Sequence, residues 1–266
     1  NSGYGNYEYT KAINGGVISS DQSYCLFMEC KFYSNSVYSG LKKTYGGAIY
    51  ISNSIGIFNN CSFINNSAYS KDEYAYGGAV FLNEKNISFI NVIFTNNLVY
   101  CSSKYSSGGA LCINKANGNC HNCSFTNNTA ETFFEQFKIS GDEPRSLGGA
   151  IRLLTSKMNF TYCDFLNNTG FGNAPEDVSS GKGGGLYSSN SIVSIIKCNF
   201  INNTLCNYGN KFDIDCFIEG GACYFYNSNA SIFDCEFINN LAMLRASEPS
   251  IYFSTRIYGG AIFSHS

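Results

Sequence analysis

Two short motifs alternate along the chain and set a regular pattern of small, apolar and polar positions. A Gly-Gly pair followed by a small and then an apolar residue occurs eight times, and a Phe-x-x-Asn motif occurs seven times. The first glycine precedes the phenylalanine by 17 residues in all seven repeats, whereas the next glycine pair follows that phenylalanine after 14, 14, 14, 23, 18, 20 and 22 residues. The pattern predicts a repeat in which one half has constant length and the other half takes up every insertion. The first glycines of the pairs are Gly15, Gly46, Gly77, Gly108, Gly148, Gly183, Gly220 and Gly259.

The constant half of each repeat has the pattern of short β-strands. Apolar runs at 46–52, 77–83 and 108–114 follow the glycine pairs, and Asn and Ser residues interrupt the chain after them. This pattern predicts three strands of 4–6 residues in each 31-residue repeat, and the glycine pairs and β-branched residues argue against helical repeats of similar length. The predicted fold class is all-β, a parallel β-helix of about seven to eight coils in a single domain over 1–266, which we expect to be an excerpt of a longer chain. The insertions predict variable loops at 129–147, 171–182, 204–219 and 241–258.

Three columns of equivalent residues are predicted to build the interior. The phenylalanines are core anchors, the residues two before them share their parity and should be buried, and the asparagines three after them should form a hydrogen-bonded ladder at about 4.8 Å spacing that closes a strand at a corner. The anchors are Phe32, Phe63, Phe94, Phe125, Phe165, Phe200 and Phe237. The asparagine ladder is Asn35, Asn66, Asn97, Asn128, Asn168, Asn203 and Asn240. The cysteine ladder is Cys30, Cys61, Cys123, Cys163, Cys198 and Cys235, with Val92 in the remaining place.

Two alternatives remain for the ladder cysteines: disulfides between adjacent coils, or stacked free thiols. We favour mostly free thiols, because directly stacked strand positions give poor disulfide torsions. Cysteines in the insertions are better placed to be bonded, and Cys206 with Cys216 is a candidate loop disulfide.

A further column, four residues after the first glycine, is mainly aromatic. Its residues come directly after the apolar core position of the strand, so their side chains are on the opposite face. It is therefore predicted to face outward, where its rings either bind sugars or stabilise the sheet by stacking across coils. The column is Tyr50, Phe81, Cys112, Arg152, Tyr187, Tyr224 and Phe263.

The combination of a Gly-Gly-Ala-Ile motif and a Phe-x-x-Asn motif in each coil resembles the polymorphic outer-membrane protein repeats of chlamydiae and similar surface families of some protists. The residues that carry the resemblance include "GGAIYI" with "CSFINNSA" at 61–68 and "GGALCI" with "CSFTNNTA" at 123–130, and it extends over 14–263. The resemblance implies a right-handed, single-stranded β-helix that is exposed at a cell surface and used for adhesion or as a coat.

Composition points to a secretory route. The chain has 13 cysteines in 266 residues, which is typical of extracellular proteins. Nine Asn-x-Ser/Thr sequons are candidates for N-glycosylation. With only 14% charged residues and a net charge of −2, the chain lacks the basic face of a nucleic-acid binder, and no apolar run is long enough for a membrane span. The sequons begin at Asn60, Asn65, Asn86, Asn122, Asn127, Asn159, Asn167, Asn202 and Asn229.

Candidate chemistry is sparse. Asp164 and Glu236 share an outward column two coils apart, at a predicted spacing of about 9–10 Å, which is near the range of an inverting glycosidase pair. The Cys120-x-x-Cys123 pair has the spacing of a metal or redox site, but it lacks the second pair that zinc requires. We therefore predict no catalytic residues, no metal and no cofactor.

Two functions remain open. The first is an extracellular adhesin or filament component that acts through its scaffold, edge loops and N-glycans, and the second is a β-helix polysaccharide lyase or glycoside hydrolase. The repeat regularity and the scarcity of acids favour the first. The expected partners are further coils of the same chain or end-to-end copies of it, together with glycans of a host surface or matrix.

Overall fold

The computed structural model describes residues 2–5, 12–133, 145–174, 180–209, 216–246 and 255–265. Every regular element in these residues is a β-strand, and neighbouring strands pair in parallel with equivalent residues of successive repeats in register. Phe63, for example, pairs with Phe32 on one side and with Phe94 on the other. The fold is thus an all-β solenoid, as the repeat pattern predicts, while its handedness and number of coils stay predictions. The described part contains no helix of the length and hydropathy that crossing a bilayer requires.

The constant halves of the repeats build two sheets, which we call the large sheet and the phenylalanine sheet. The first strands of the large sheet, which follow the glycine pairs, are Ile18–Asp21, Ile49–Ser52, Val80–Ile90, Leu111–His121, Ile151–Leu154, Leu186–Ser189, Cys223–Tyr226 and Ile262–His265. Its second strands are Tyr24–Met28, Ile55–Asn59, Lys157–Thr161, Ile192–Ile196 and Asn229–Phe233. The phenylalanine sheet consists of Lys31–Tyr33, Ser62–Ile64, Ile93–Thr95, Ser124–Thr126, Asp164–Leu166, Asn199–Ile201 and Glu236–Ile238.

The variable halves build two more sheets, the outgoing sheet after the asparagine ladder and the return sheet before the glycine pairs. The outgoing sheet consists of Ser2–Gly5, Ser36–Ser39, Ser67–Ser70, Leu98–Cys101, Thr129–Phe133, Thr169–Ala174, Thr204–Gly209 and Leu241–Ala246. The return sheet consists of Ala12–Asn14, Lys43–Tyr45, Ala75–Tyr76, Tyr105–Ser107, Arg145–Leu147, Ser180–Lys182, Cys216–Glu219 and Thr255–Tyr258.

The prediction of three strands per repeat was wrong, because four left-handed residues divide each repeat more finely. In the second repeat these are Gly46, Asn53, Asn60 and Asn65, with φ of 63°, 50°, 52° and 57°. Glycine and asparagine adopt this conformation at low cost, which accounts for much of the asparagine content of the chain. Each repeat therefore has five short segments. In Val80–Ile90 and Leu111–His121 the first two segments form one continuous strand through the second left-handed position.

The cross-section has two lobes with separate cores. The main lobe lies between the large and phenylalanine sheets and contains the anchor phenylalanines, of which Phe63, Phe94, Phe125, Phe165 and Phe200 are 0% exposed. The second lobe lies between the outgoing and return sheets and is packed with small side chains such as Ala68, Ala75 and Ala130. Hydroxyls also pair across it, as Ser106 and Thr132 do at 2.7 Å.

A close backbone approach forms the waist between the lobes. A Cβ placed on Gly47 would collide with the carbonyl oxygens of Gly78 in the next repeat and Ser67 in the outgoing sheet. The second glycine of the pair therefore lets the glycine turn pack directly on the start of the outgoing strand. Only a residue without a side chain fits there.

The asparagine ladder is buried and lies at the same waist. The Asn97 Nδ2 donates to Asn128 Oδ1 at 2.9 Å and to the Phe63 carbonyl at 2.9 Å, while Asn97 Oδ1 accepts from Asn66. The same pattern joins every member from Asn35 to Asn240. The sequence prediction placed the corner on the ladder residue itself, and asparagine tolerates the left-handed conformation of such a turn. The structure places it on the residue before, for example Asn96 at φ 54°, because the buried amide needs an inward-facing position.

The six ladder cysteines are free thiols, of which Cys61, Cys123, Cys163 and Cys198 are fully buried. Cys206 is also buried, whereas the side chain of Cys216 lies outside the described residues. The loop disulfide between these two residues therefore stays a prediction.

The ranges expected to be variable loops begin and end in regular strands of the second lobe. The range 129–147, for example, includes Thr129–Phe133 of the outgoing sheet and Arg145–Leu147 of the return sheet. The centres of these ranges, at 134–144, 175–179, 210–215 and 247–254, lie outside the described residues. Insertions therefore enter where the outgoing sheet passes to the return sheet, at the end of the second lobe away from the waist.

Candidate functional site in the corner between two sheets

The large sheet and the return sheet meet at the glycine pair in a corner that is concave towards the outside. The residue before each pair and the residue four after its first glycine both point away from the cores, and they touch across this corner. The ring of Tyr45 contacts that of Phe81 edge to face at 4.6 Å. The corner thus collects two outward columns from two different sheets.

This contact corrects the expectation of an exposed aromatic stripe. The stripe points away from the core as its parity predicts, but Phe81, Cys112 and Tyr224 are only 6%, 1% and 1% exposed. The return sheet folds over the stripe and covers it. The residues that cover it, Tyr45 and Tyr76 among them, each lie five residues before a member of the stripe, and the turn at the glycine pair brings the two columns into contact.

Aromatic side chains fill the corner at the glycine pairs that begin with Gly46 and Gly77. Tyr45 stacks on Tyr76 at 5.1 Å, and Tyr50 stacks on Phe81 at 5.6 Å. Burial raises the pKa of Tyr45 to about 12 and also raises that of Tyr76. These hydroxyls are therefore neutral at physiological pH, and this part of the corner offers packing rather than charge.

Arg152 occupies the middle of the corner. Its guanidinium lies 5.5 Å from the ring centre of Tyr76 and also neighbours Cys112, whose pKa burial raises to about 11. Its Nε is buried and has no hydrogen-bond partner, and no carboxylate of the described residues pairs with it. Among the described residues, the groups next to this cation are therefore neutral, and Cys112 is hydrogen-bonded to it.

The corner opens beyond Arg152 into a cleft of about 480 Å³, which we call the corner cleft. Lys182 lies in its wall, 2.8 Å from a carboxylate oxygen of Glu219, and its ammonium donates to the Tyr224 hydroxyl at 3.1 Å. Tyr187 stacks on Tyr224 at 5.5 Å. The residues that line the cleft are Arg145, Ser180, Lys182, Tyr187, Glu219, Tyr224, Tyr226 and His265.

A second concavity, of about 530 Å³, lies on the outer face of the large sheet. Its lining includes the amide side chains of Asn86, Asn117, Asn119 and Asn159, together with Lys157 and three isoleucines. Asn86 and Asn159 are sequon residues, so glycans on them would cover this trough. The corner cleft holds no sequon asparagine, which makes it the better candidate for recognition.

The sequon asparagines are all exposed, but in two backbone settings. Six are left-handed turn residues, and three lie in strands of the large sheet. The turn residues are Asn60, Asn65, Asn122, Asn127, Asn167 and Asn202, and the strand residues are Asn86, Asn159 and Asn229. Asn60 and Asn122 also belong to an outer amide row, in which Asn122 donates to Asn91 and Asn91 donates to Asn60.

The two acids singled out from the sequence are held apart. Asp164 pairs with Asn199, which pairs with Glu236, so they lie two strands apart with an amide between them. The Asn199 Nδ2 donates to Asp164 Oδ1 at 2.8 Å. The register thus agrees with the expected spacing of about 9–10 Å, but Asn199 binds Asp164 in the space between the acids.

The Cys120 and Cys123 thiols are buried, whereas His121 between them points outward to Thr161 at 3.0 Å. The described residues contain no group of three His, Cys, Asp or Glu side chains arranged to hold a metal ion.

Sequence reasoning missed the corner cleft. Lys182 and Glu219 lie on the return sheet, in ranges interpreted as loops, and they meet Tyr187 and Tyr224 of the stripe only across the glycine corner. The sequence alone gives no signal that the residue before each glycine pair touches the stripe, because that contact depends on the angle of the corner. Comparison of the chain with protein-family models, curated proteins and solved structures finds no match to any of them.

Proposed function

We propose that this protein is an extracellular adhesin, a non-catalytic solenoid scaffold that presents recognition surfaces at a cell surface. The observation that carries the proposal is the division of the cross-section into a main lobe of constant length and a second lobe that takes up all variation. Rigid scaffolds with variable segments at one edge are a common solution for recognition.

Two further features support an extracellular setting. All nine sequon asparagines are exposed, so each is accessible for glycosylation. Four of the six ladder cysteines, Cys61, Cys123, Cys163 and Cys198, are buried, and burial raises the pKa of Cys61 and that of Cys120 beside the ladder. Since the thiolate is the reactive form, such thiols are protected in an oxidising compartment.

An adhesion assay tests the proposal directly. Beads coated with the protein, secreted from a eukaryotic host, are incubated with cultured epithelial cells, and albumin-coated beads serve as the baseline. We expect several-fold more bound beads than for albumin. Adhesion at the albumin level would contradict the proposal.

A matched variant asks whether the second lobe contributes. Thr132 is the register partner of Cys101, and Arg145 is that of Tyr105, so residues 133–144 replace the three-residue link 102–104 of the previous repeat. Exchanging 133–144 for Ser-Ser-Lys restores the shorter link without changing the register. We expect this variant to fold and to adhere less, whereas Lys157→Gln on the distant trough should adhere like the wild type.

A further inference from the structure

We propose that the trough on the outer face of the large sheet is the docking site of an N-glycan on Asn159, whose two core N-acetylglucosamines lie along the solenoid axis towards Asn119. This inference rests on the extracellular setting of the proposed function and goes beyond it, because it assigns an occupant to one face of the scaffold. Three features carry it: a recessed row of side chains that begins at Asn159, amides that have no protein partner, and the neutral chemistry of that row.

A row of four register partners leads from Asn159 into the trough. Asn159 pairs with Asn119, which pairs with Ser88. Ser88 in turn pairs with Ile57, and all four residues line the trough. At about 4.8 Å per strand the row extends roughly 14 Å along the solenoid axis. Asn159 is exposed and the other three side chains are half-buried, so a glycan on Asn159 stands at the end of a recessed path along which its core sugars can lie.

The surroundings of this recessed row give the glycan a direction. A second row of lining residues runs beside it and is exposed throughout, so it forms a wall of the trough. On the side away from Asn119, Asn159 pairs with Ser194, which is not a lining residue. The concave path therefore leads from Asn159 towards Asn119 and not towards Ser194. The exposed row consists of Ile55, Asn86, Asn117 and Lys157.

The amides of the recessed row make no hydrogen bond to any described residue. Asn119 and Asn159 are register partners, yet neither side chain donates to the other. The outer amide row of the neighbouring corner differs, because Asn122 Nδ2 donates to Asn91 Oδ1 at 2.8 Å. The Asn159 Nδ2 can thus carry a sugar without breaking an amide row, and the Asn119 amide offers that sugar both a donor and an acceptor.

The recessed row fits the chemistry of N-acetylglucosamine. The Asn119 amide and the Ser88 hydroxyl suit an acetamido group and ring hydroxyls, and Ile57 offers an apolar surface to the C–H face of a sugar ring. The core sugars are neutral, and the one charged side chain among the lining residues, Lys157, belongs to the exposed row. Docking would cover the outer face of the large sheet and leave the corner cleft uncovered for recognition.

The rate of enzymatic glycan release from the native protein tests the inference. The full chain is secreted from a eukaryotic host that keeps high-mannose glycans and is digested with endoglycosidase H, which cuts between the two core sugars, while mass spectrometry follows each sequon. Because the enzyme cuts only the undocked glycan, we expect release at Asn159 to be about tenfold slower than at Asn229, an exposed strand site of the same sheet. The two rates should agree after denaturation. Equal rates in the native protein, protection at Asn86 alone, or an unmodified Asn159 would overturn the proposal.

Variants connect the protection to the recessed row. Asn119→Ala removes the amide next to Asn159 and should accelerate release at Asn159 about fivefold. Ser194→Ala is the matched control, because it removes a polar group on the other side of Asn159 and should change the rate by less than about twofold. Lys157→Gln should also leave the rate unchanged, since the docked sugars are neutral.

A second contact variant keeps the test decisive if Asn119→Ala folds poorly. Ile57→Ser removes the apolar surface at the far end of the row and should likewise accelerate release at Asn159. Unchanged release in both contact variants, or faster release in Ser194→Ala alone, would overturn the assignment.

Two outcomes separate this inference from the proposed function. Adhesive beads whose protein releases the Asn159 and Asn229 glycans at equal rates would leave the adhesin proposal standing and overturn the docked glycan. Slow release at Asn159 with non-adhesive beads would support the docked glycan and contradict the adhesin.

Discussion

The thiol of Cys61 donates to the backbone carbonyl of Asn59 at 3.3 Å, across the left-handed residue Asn60 between them. One corner earlier, the Ser54 hydroxyl makes the same contact with the Ser52 carbonyl at 2.7 Å. The cysteine column is thus a thiol counterpart of a serine column: each side chain satisfies the carbonyl exposed by the left-handed turn. This role explains the repeated cysteines without disulfide bonds.

A serine should replace a ladder thiol better than an alanine does. Cys163 lies within hydrogen-bond distance of the carbonyls of Thr161 and Cys120, and a hydroxyl can donate to the same acceptors. We expect Cys163→Ser to lower the free energy of unfolding by less than about 1 kcal/mol, and Cys163→Ala to lower it by about 1–3 kcal/mol. Urea denaturation measures both. A serine variant less stable than the alanine variant would refute the capping role.

The buried thiols of the ladder and of the neighbouring Cys120 should resist alkylation in the native protein. Burial raises the pKa of Cys61 and Cys120 above the usual thiol value, so the reactive thiolate is scarcer than in a free cysteine at pH 8. Iodoacetamide followed by peptide mass spectrometry should label these residues only after unfolding, whereas the partly exposed Cys25 should react in the folded state. Disulfides between ladder positions in the secreted protein would contradict this prediction.

Breaking the asparagine ladder should destabilise the solenoid more than changing its exposed neighbour. Asn97→Ala removes one hydrogen bond each from the Asn66 amide, Asn128 Oδ1 and the Phe63 carbonyl, and we expect a loss of about 3 kcal/mol or more. Asn96→Gly is the control, because glycine adopts its φ of 54° without strain and should cost less than about 1 kcal/mol. Similar losses for the two variants would show that the buried amide contributes little.

The phenylalanine stack should behave as a cooperative core. Phe125 lies 4.9 Å from both Phe94 and Phe165 and is 0% exposed. Phe125→Ala should therefore lower the free energy of unfolding by about 3–5 kcal/mol, and neighbouring repeats should lose hydrogen-exchange protection as well. Phe233→Ala, at a position 61% exposed, should cost less than about 1 kcal/mol. A loss below about 1 kcal/mol at Phe125 would contradict this account.

Glycans should crowd on one column of turns. Asn127, Asn167 and Asn202 lie on three successive repeats, about 4.8 Å apart, so neighbouring glycans compete for space. We expect partial occupancy there and fuller occupancy at Asn229. Site-resolved mass spectrometry after glycosidase treatment measures each site, and full occupancy of all three turn sites would show that crowding does not limit modification.

The sequence predicted the interior well because interior positions repeat with invariant spacing. The 17-residue interval alone places Phe63, Cys61 and Asn66 in their columns. The number of strands was harder, since the left-handed turn positions Gln22, Glu29 and Thr155 are not asparagines or glycines and so carry no turn signal in the sequence. The corner cleft was out of reach, because Lys182 and Tyr224 come from different sheets and from opposite sides of a glycine pair. Their contact depends on the angle of the corner, which no periodicity encodes.

The confinement of length variation to the end of the second lobe has a practical consequence. Between Thr132 and Arg145 the chain carries nine residues more than between their register partners Cys101 and Tyr105, yet both flanking strands keep their register. Foreign peptide can be inserted at that junction: an epitope or enzyme tag there would leave every hydrogen-bonded ladder unchanged. Insertions at this junction in successive repeats would then form a one-dimensional array with the spacing of the strands.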